Sequence, residues 1–248
     1  MIIIKSNREI EIMKEAGKIA AEAHKLVSEM IEDGITTYKL DEEVEKFIRS
    51  KNAIPTFKGY QGFPASICTS INKEVVHGIP DKTKLKDGDI LSVDIGVTYK
   101  GYVGDTAKTY PVGKVSNNAQ RLIDVTRKSF YEGIKFAKES YRLSDISHAI
   151  QKCVEKEGFS VVRDFVGHGV GKDMHEDPQI PNFGKPNKGP RLKKGMTFAI
   201  EPMVNEGSYH VQMLENNWTV VTRDRKLSAH YEHSIAITDG EPYILTSL

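Results

Sequence analysis

Apolar residues recur at helical spacing near the start of this chain, at Ile10, Met13, Ala16, Ala20, Ala23, Val27, Met30 and Ile31. Ser6 and Glu9 precede them in the spacing of a capping box and Gly34 supplies a stop, so a first helix is predicted between. A second helix is predicted from about Thr37 to Arg49, with Leu40, Val44, Phe47 and Ile48 on one face. The period then shortens. Strand-like runs occupy 65–71, 90–98 and 101–112, and the turn Thr98-Tyr99-Lys100-Gly101 joins the last two as a hairpin. The order then returns. Helices are predicted over about 117–139 and 145–157, the second capped by Ser144 and stopped by Gly158. Strands follow near 159–166, 196–204, 209–214, 218–223 and 229–238.

The two rounds carry matching carboxylates. Leu85-Lys86-Asp87-Gly88 leads to Asp94, and Leu192-Lys193-Lys194-Gly195 leads to Glu201 at the same spacing. Asp105 and Glu232 each stand eight residues before a glycine, Gly113 and Gly240. His77-Gly78-Ile79-Pro80 and His175-Glu176-Asp177-Pro178 share H-x-x-P. These echoes suggest an internal duplication: an α+β fold of two pseudo-symmetric helix–helix–strand halves, about 1–113 and 114–248, in one catalytic domain spanning 1–248. An active site is expected where the halves meet.

Composition narrows the class. With 39% hydrophobic and 28% charged residues, the chain has the make-up of an ordinary globular protein. No apolar run reaches the roughly 18 residues of a membrane span, and Met1-Ile2-Ile3-Ile4 is too short for a secretory signal. Two cysteines, Cys68 and Cys153, give no disulfide framework, which favours a reducing cytoplasm. A net charge of +1 argues against a dedicated nucleic-acid binder. Lysines cluster at Lys82, Lys84 and Lys86 and again at Lys185, Lys188, Arg191, Lys193 and Lys194; solvated loops explain them, with a polyanion contact as the rival.

The carboxylates then change the picture. Asp94 and Glu201 lie in apolar strand-like runs, where a lone negative charge is costly to desolvate. Asp94 and Asp105 are eleven residues apart across a hairpin, a spacing that can place both on one face. Oxygen donors of this kind suit Mn, Fe, Co or Zn and can bridge two ions. His168, in Gly167-His168-Gly169-Val170-Gly171, adds an imidazole; as a dinucleotide loop that stretch lacks the further fingerprint glycine and the acidic ribose partner. One histidine among four carboxylates is neither a structural zinc set nor the two-histidine, one-carboxylate iron triad.

In order and spacing, Ser70-Ile71-Asn72, His77-Gly78-Ile79-Pro80, Val93-Asp94-Ile95-Gly96, Gly104-Asp105-Thr106, Gly167-His168-Gly169-Val170-Gly171, His175-Glu176 and Ala199-Ile200-Glu201-Pro202 resemble the signatures of the methionine aminopeptidases. These belong to the pita-bread metallopeptidases, with prolidase and aminopeptidase P. The length looks like that of the bacterial type I form. The resemblance implies a curved antiparallel sheet covered by helices, and two divalent ions held by Asp94, Asp105, His168, Glu201 and Glu232. It implies attack of an activated water on the first peptide bond, with Glu201 as general base, His175 donating to the carbonyl oxygen and His77 binding the scissile amide. Tyr60, Phe63, Cys68 and Trp218 are similar to the methionine pocket. Phe57, Phe63 and Met174 depart from the commonest type I pattern, which puts the pocket's depth in question. The implied substrate is the N-terminus of a peptide or nascent protein with a small second residue. A transient ribosome contact, a monomer, no membrane and no specific nucleic acid complete the expectation. An Xaa-Pro peptidase and a non-catalytic relative are the alternatives.

Overall fold

A computed structural model describes residues 1–248. The chain order is α1 (Asn7–Met30), α2 (Thr37–Ser50), β1 (Ile54–Pro55), β2 (Cys68–Ile71), β3 (Glu74–Val76), β4 (Ile90–Tyr99), β5 (Tyr102–Pro111), α3 (Asn117–Ile134) and α4 (Leu143–Lys156). It continues with β6 (Ser160–Val161), β7 (Gly167–Gly169), β8 (Glu176–Ile180), β9 (Thr197–Ile200), β10 (Met203–Asn205), β11 (Val211–Met213), β12 (Val220–Thr222), β13 (Ser228–His230), β14 (Glu232–Ala236) and β15 (Tyr243–Ile244). The central sheet runs β1-β4-β5-β14-β9-β7-β8, with β2 added on β4 and β15 on β14, and its pairings are antiparallel. β14 therefore joins the strands of the first half to those of the second.

Helices cover one face of this sheet. Ala20, Ala23 and Val27 of α1 and Leu40, Val44 and Ile48 of α2 pack on Leu91, Val93, Ile95 and Val97 of β4. Leu122 and Phe130 of α3 and Ile146 and Ile150 of α4 pack on Phe198, Ile200 and Ile235. The Ser6 hydroxyl accepts from the Glu9 backbone N–H, and the Glu9 carboxylate accepts from the Ser6 N–H at 2.7 Å, which completes the expected capping box.

Several boundaries differ from expectation. The first of the strand runs begins at Cys68, not residue 65, because the Ser66 and Ile67 N–H groups donate to Asp41 Oδ1 at 2.8 and 3.0 Å. α3 stops at Ile134, where Phe136 and Ala137 tighten into turns on the Gly133 and Ile134 carbonyls. Ser144 does not cap α4. The cap is Arg142, whose N–H donates to Asp145, while the Ser144 hydroxyl accepts from the Lys188 N–H. The run 196–204 breaks after Ile200, since Pro202 has no N–H to give a ladder. The run 229–238 breaks at Tyr231, whose N–H turns to the Pro202 carbonyl.

Candidate metal centre and substrate cavity

Strand alternation decides which side chains leave the helical face. Leu91, Val93, Ile95 and Val97 of β4 are buried under α1 and α2, so Asp94 stands on the opposite face. The register Gly96 to Asp105 and Asp94 to Ala107 puts Asp105 on that same face as a diagonal neighbour. Glu232 of β14 reaches it too, paired with Ala107 from the far side of β5. Phe198 and Ile200 of β9 face the α3/α4 core, which sends Glu201 the other way, and His168 of β7 sits opposite Ala199. Cys68 of β2 lies directly across from Asp94.

These side chains meet in one cavity of about 440 Å³, which Tyr60, Phe63, His77, His175 and Trp218 also line. Every site residue singled out from the sequence is thus brought together. Glu232 is 1% exposed and Asp105 2%, so neither is a turn cap or a solvated edge. His168 Nε2 lies 3.4 Å from Glu201 Oε1 and 3.7 Å from Asp105 Oδ2. Asp105, His168 and Glu232 can together offer donor atoms to one ion, and so can Asp94, His230 and Glu232.

Electrostatics supplies the test of fit. Asp94 Oδ1, Asp105 Oδ1 and Glu232 Oε1 are buried with no hydrogen-bond partner. Burial pushes the Asp105 carboxyl up to about 7. Burial, and then the neighbouring carboxylates, push Asp94, Glu201 and Glu232 well above the ordinary range. Burial also pushes His168 down to about 4, which keeps its imidazole neutral, the form that binds metal. Unpartnered oxygen atoms beside a neutral imidazole suit divalent cations and little else.

The histidines of the two H-x-x-P stretches flank this cluster. His77 occupies the left-handed backbone region (φ 59°), and its ring meets Phe165 and Trp218 edge-on. The His175 ring lies 4.3 Å from that of His168, and its Nδ1 is 2.8 Å from the Tyr60 hydroxyl. The loop before His175 is braced by Glu176, which accepts from the Lys172 N–H and pairs with Lys5, both side chains being buried. Phe63 and Trp218 meet edge-to-face at 5.1 Å. Phe57 lines the cavity as well, because Gly96 leaves room for its ring; a Cβ there would lie 2.6 Å from Phe57 Cε1.

His230 was missed by the sequence reading. It lines the cavity, and its Nε2 is buried without a partner, 3.8 Å from Glu232 Oε2 and 4.0 Å from Glu201 Oε2. The signal was its place two residues before Glu232, on the same face of an extended run.

The model of metallopeptidase family M24 matches residues 11–239. The chain belongs to metallopeptidase family M24. As a member it is a metal-dependent hydrolase that uses divalent metal. It is 58% identical over 246 residues to methionine aminopeptidase 1 of Bacillus subtilis, covering 99% of each chain. The crystal structure of a methionine aminopeptidase from Thermotoga maritima superposes with a TM-score of 0.98 at 48% identity, over 100% of both chains. A prolidase from Pyrococcus horikoshii shares the pita-bread fold, with a TM-score of 0.80 at 21% identity and 64% of that chain covered. No helix of this M24 chain is long and apolar enough to cross a membrane.

Proposed function

We infer that this M24 metallopeptidase removes the N-terminal methionine from peptides and nascent proteins. One observation carries the reading. Carboxylates and a histidine from both halves converge beside an apolar, sulfur-containing pocket in a single cavity. The pocket is built from Tyr60, Phe63, Cys68 and Trp218, with Phe57 and Met174 beside them. Aromatic rings and a thiol contact an unbranched thioether side chain favourably.

Asp94, Asp105, His168, Glu201 and Glu232 would hold two divalent ions, drawn from Co, Mn, Fe or Zn. When bound, the ions supply Lewis acidity at this point of the cavity. Glu201 takes a proton from the attacking water and passes it to the leaving amine; the upward pull of burial on its carboxyl suits it to carry that proton. His175 donates to the substrate carbonyl oxygen. With the Tyr60 hydroxyl donating to Nδ1, the neutral ring keeps its proton on Nε2, and burial lowers its basicity, which favours that neutral form. His77, pushed down to about 4 by burial, is likewise a neutral partner for the scissile amide. The proposed substrate carries a small residue after its methionine.

The protein works as a cytoplasmic monomer on N-termini emerging from the ribosome, touching the ribosome transiently through Lys185, Lys188 and Lys194. Unchanged ribosome co-sedimentation after charge reversal of these three lysines removes that contact. The function itself is tested by turnover of Met-Ala-Ser and of an Xaa-Pro dipeptide with added Mn or Co. Metal-dependent release of methionine from Met-Ala-Ser supports it. Preference for the Xaa-Pro dipeptide assigns a prolidase-like activity instead, and no turnover of either peptide assigns a non-catalytic relative.

A further inference from the structure

We propose that His230 is an additional metal ligand, giving the ion beside Asp94 a nitrogen donor that the expected set of five lacks. This rests on the ligand set inferred above and extends it. The His230 side chain is 2% exposed, and its Nε2 has no hydrogen-bond partner. A buried ring nitrogen without a partner is costly unless something binds it. The atoms facing it are carboxylate oxygens, Glu232 Oε2 at 3.8 Å and Glu201 Oε2 at 4.0 Å. Those separations are too long for hydrogen bonds. They fit two ligands of one cation, since atoms each about 2.1 Å from an ion can stand up to about 4.2 Å apart.

The same separations recur around His168, whose Nε2 stands 3.4 and 3.7 Å from Glu201 and Asp105. Two imidazoles thus occupy comparable places in the carboxylate cluster, one from β7 and one from the end of β13. Asp94, His230 and Glu232 form a second donor group sharing Glu232 with the group of Asp105 and His168. The backbone holds His230 in place, because its N–H donates to Thr109 Oγ1 at 2.8 Å and its carbonyl accepts from the same hydroxyl at 2.9 Å. A nitrogen donor moves an otherwise oxygen-only position toward Co and Zn and away from Mn.

The test uses metal alone as the probe. Zn is added to metal-free protein labelled with 15N-histidine, and the imidazole resonances are followed, with His230→Gln used to assign them. Two ring nitrogens, from His168 and His230, are expected to shift on saturation. Calorimetry of Co binding is then compared between wild type and His230→Gln. One of the two ions is expected to bind about tenfold to a hundredfold more weakly in the variant, with the other within about threefold of wild type. A single shifted imidazole, or unchanged Co binding in the variant, overturns the proposal while leaving the five-residue set intact. A wild type that binds no ion in this cluster overturns the set itself. If His230→Gln does not fold, His230→Asn serves for both the assignment and the calorimetry.

Discussion

Removing the metal should make the protein less stable as the pH rises from 6.5 to 8, the reverse of ordinary acid denaturation. In the metal-free protein Asp105 titrates near 7, and Asp94, Glu201 and Glu232 well above the usual carboxylate range, because burial disfavours the charged form. Unfolded, the same groups ionise near pH 4. Between those limits the native state binds more protons than the unfolded one, so stability is highest below the unfolded values and is lost as pH rises through the folded ones. Buried histidines act in the opposite sense. His24, His77, His168, His230 and His233 are pushed down to about 3 or 4 by burial. Their destabilising effect fades as pH rises through about 6.5, where the unfolded imidazoles lose their protons, and its remainder above that pH opposes the carboxylates by about 2 kcal/mol in all. The four raised carboxylates outweigh that remainder across the window. Each proton the cluster keeps costs about 1.4 kcal/mol per pH unit, or about 2 kcal/mol across the window. For a chain of this size that is a fall of about 4–8 °C in Tm per retained proton. The assay is thermal unfolding of chelated protein at pH 6.5, 7.25 and 8, repeated with saturating Mn. The ion should abolish the fall by replacing the protons, and calorimetry at pH 7.5 in buffers of different ionisation enthalpy should record their release. A chelated protein whose Tm is level or rising over this range refutes the reasoning.

Three further outcomes follow from the geometry. Glu201→Gln should lower kcat on Met-Ala-Ser by about 10²–10⁴-fold with Tm within a few degrees of wild type; activity within tenfold of wild type would remove Glu201 from proton transfer. Trp218→Ala should lower kcat/KM for Met-Ala-Ser by about tenfold to a hundredfold and narrow its margin over Leu-Ala-Ser, and an unchanged margin would place Trp218 outside the pocket's selectivity. Gly104→Ala should destabilise the fold by at least about 2 kcal/mol in denaturant unfolding, because its Cβ would stand 2.6 Å from the Gly17 N and 2.7 Å from the Gly17 Cα of α1; unaltered stability would mean that α1 is not seated against β5.

What could be read from the sequence had a local cause. The first helix was visible because Ser6 and Glu9 close their box within four residues and the apolar stripe follows at once. The β4–β5 hairpin was visible because alternation and its turn are both local, and its register did place Asp94 and Asp105 on one face. What stayed hidden depends on distant partners. β1 has two residues and exists only through Thr98 and Val97 of β4. β8 contains Pro178 and polar positions, and it is a strand because β7 offers an edge. Ser66 and Ile67 looked like strand, yet their N–H groups are taken by Asp41 from α2. The buried carboxylates that line the cavity were legible because charge in an apolar run is conspicuous. His230 was not, since a histidine in such a run resembles a packed core residue until Glu232 and Glu201 are seen facing it.

Crystals of the protein loaded with Mn, measured at a wavelength where the ion scatters anomalously, examine most directly whether cations neutralise the buried carboxylates. Two anomalous peaks are expected within the cavity, each within about 2.0–2.3 Å of carboxylate oxygens drawn from Asp94, Asp105, Glu201 and Glu232. Saturating metal with no peak among these side chains, or peaks confined to the protein surface, would contradict the metal centre and the hydrolysis built on it.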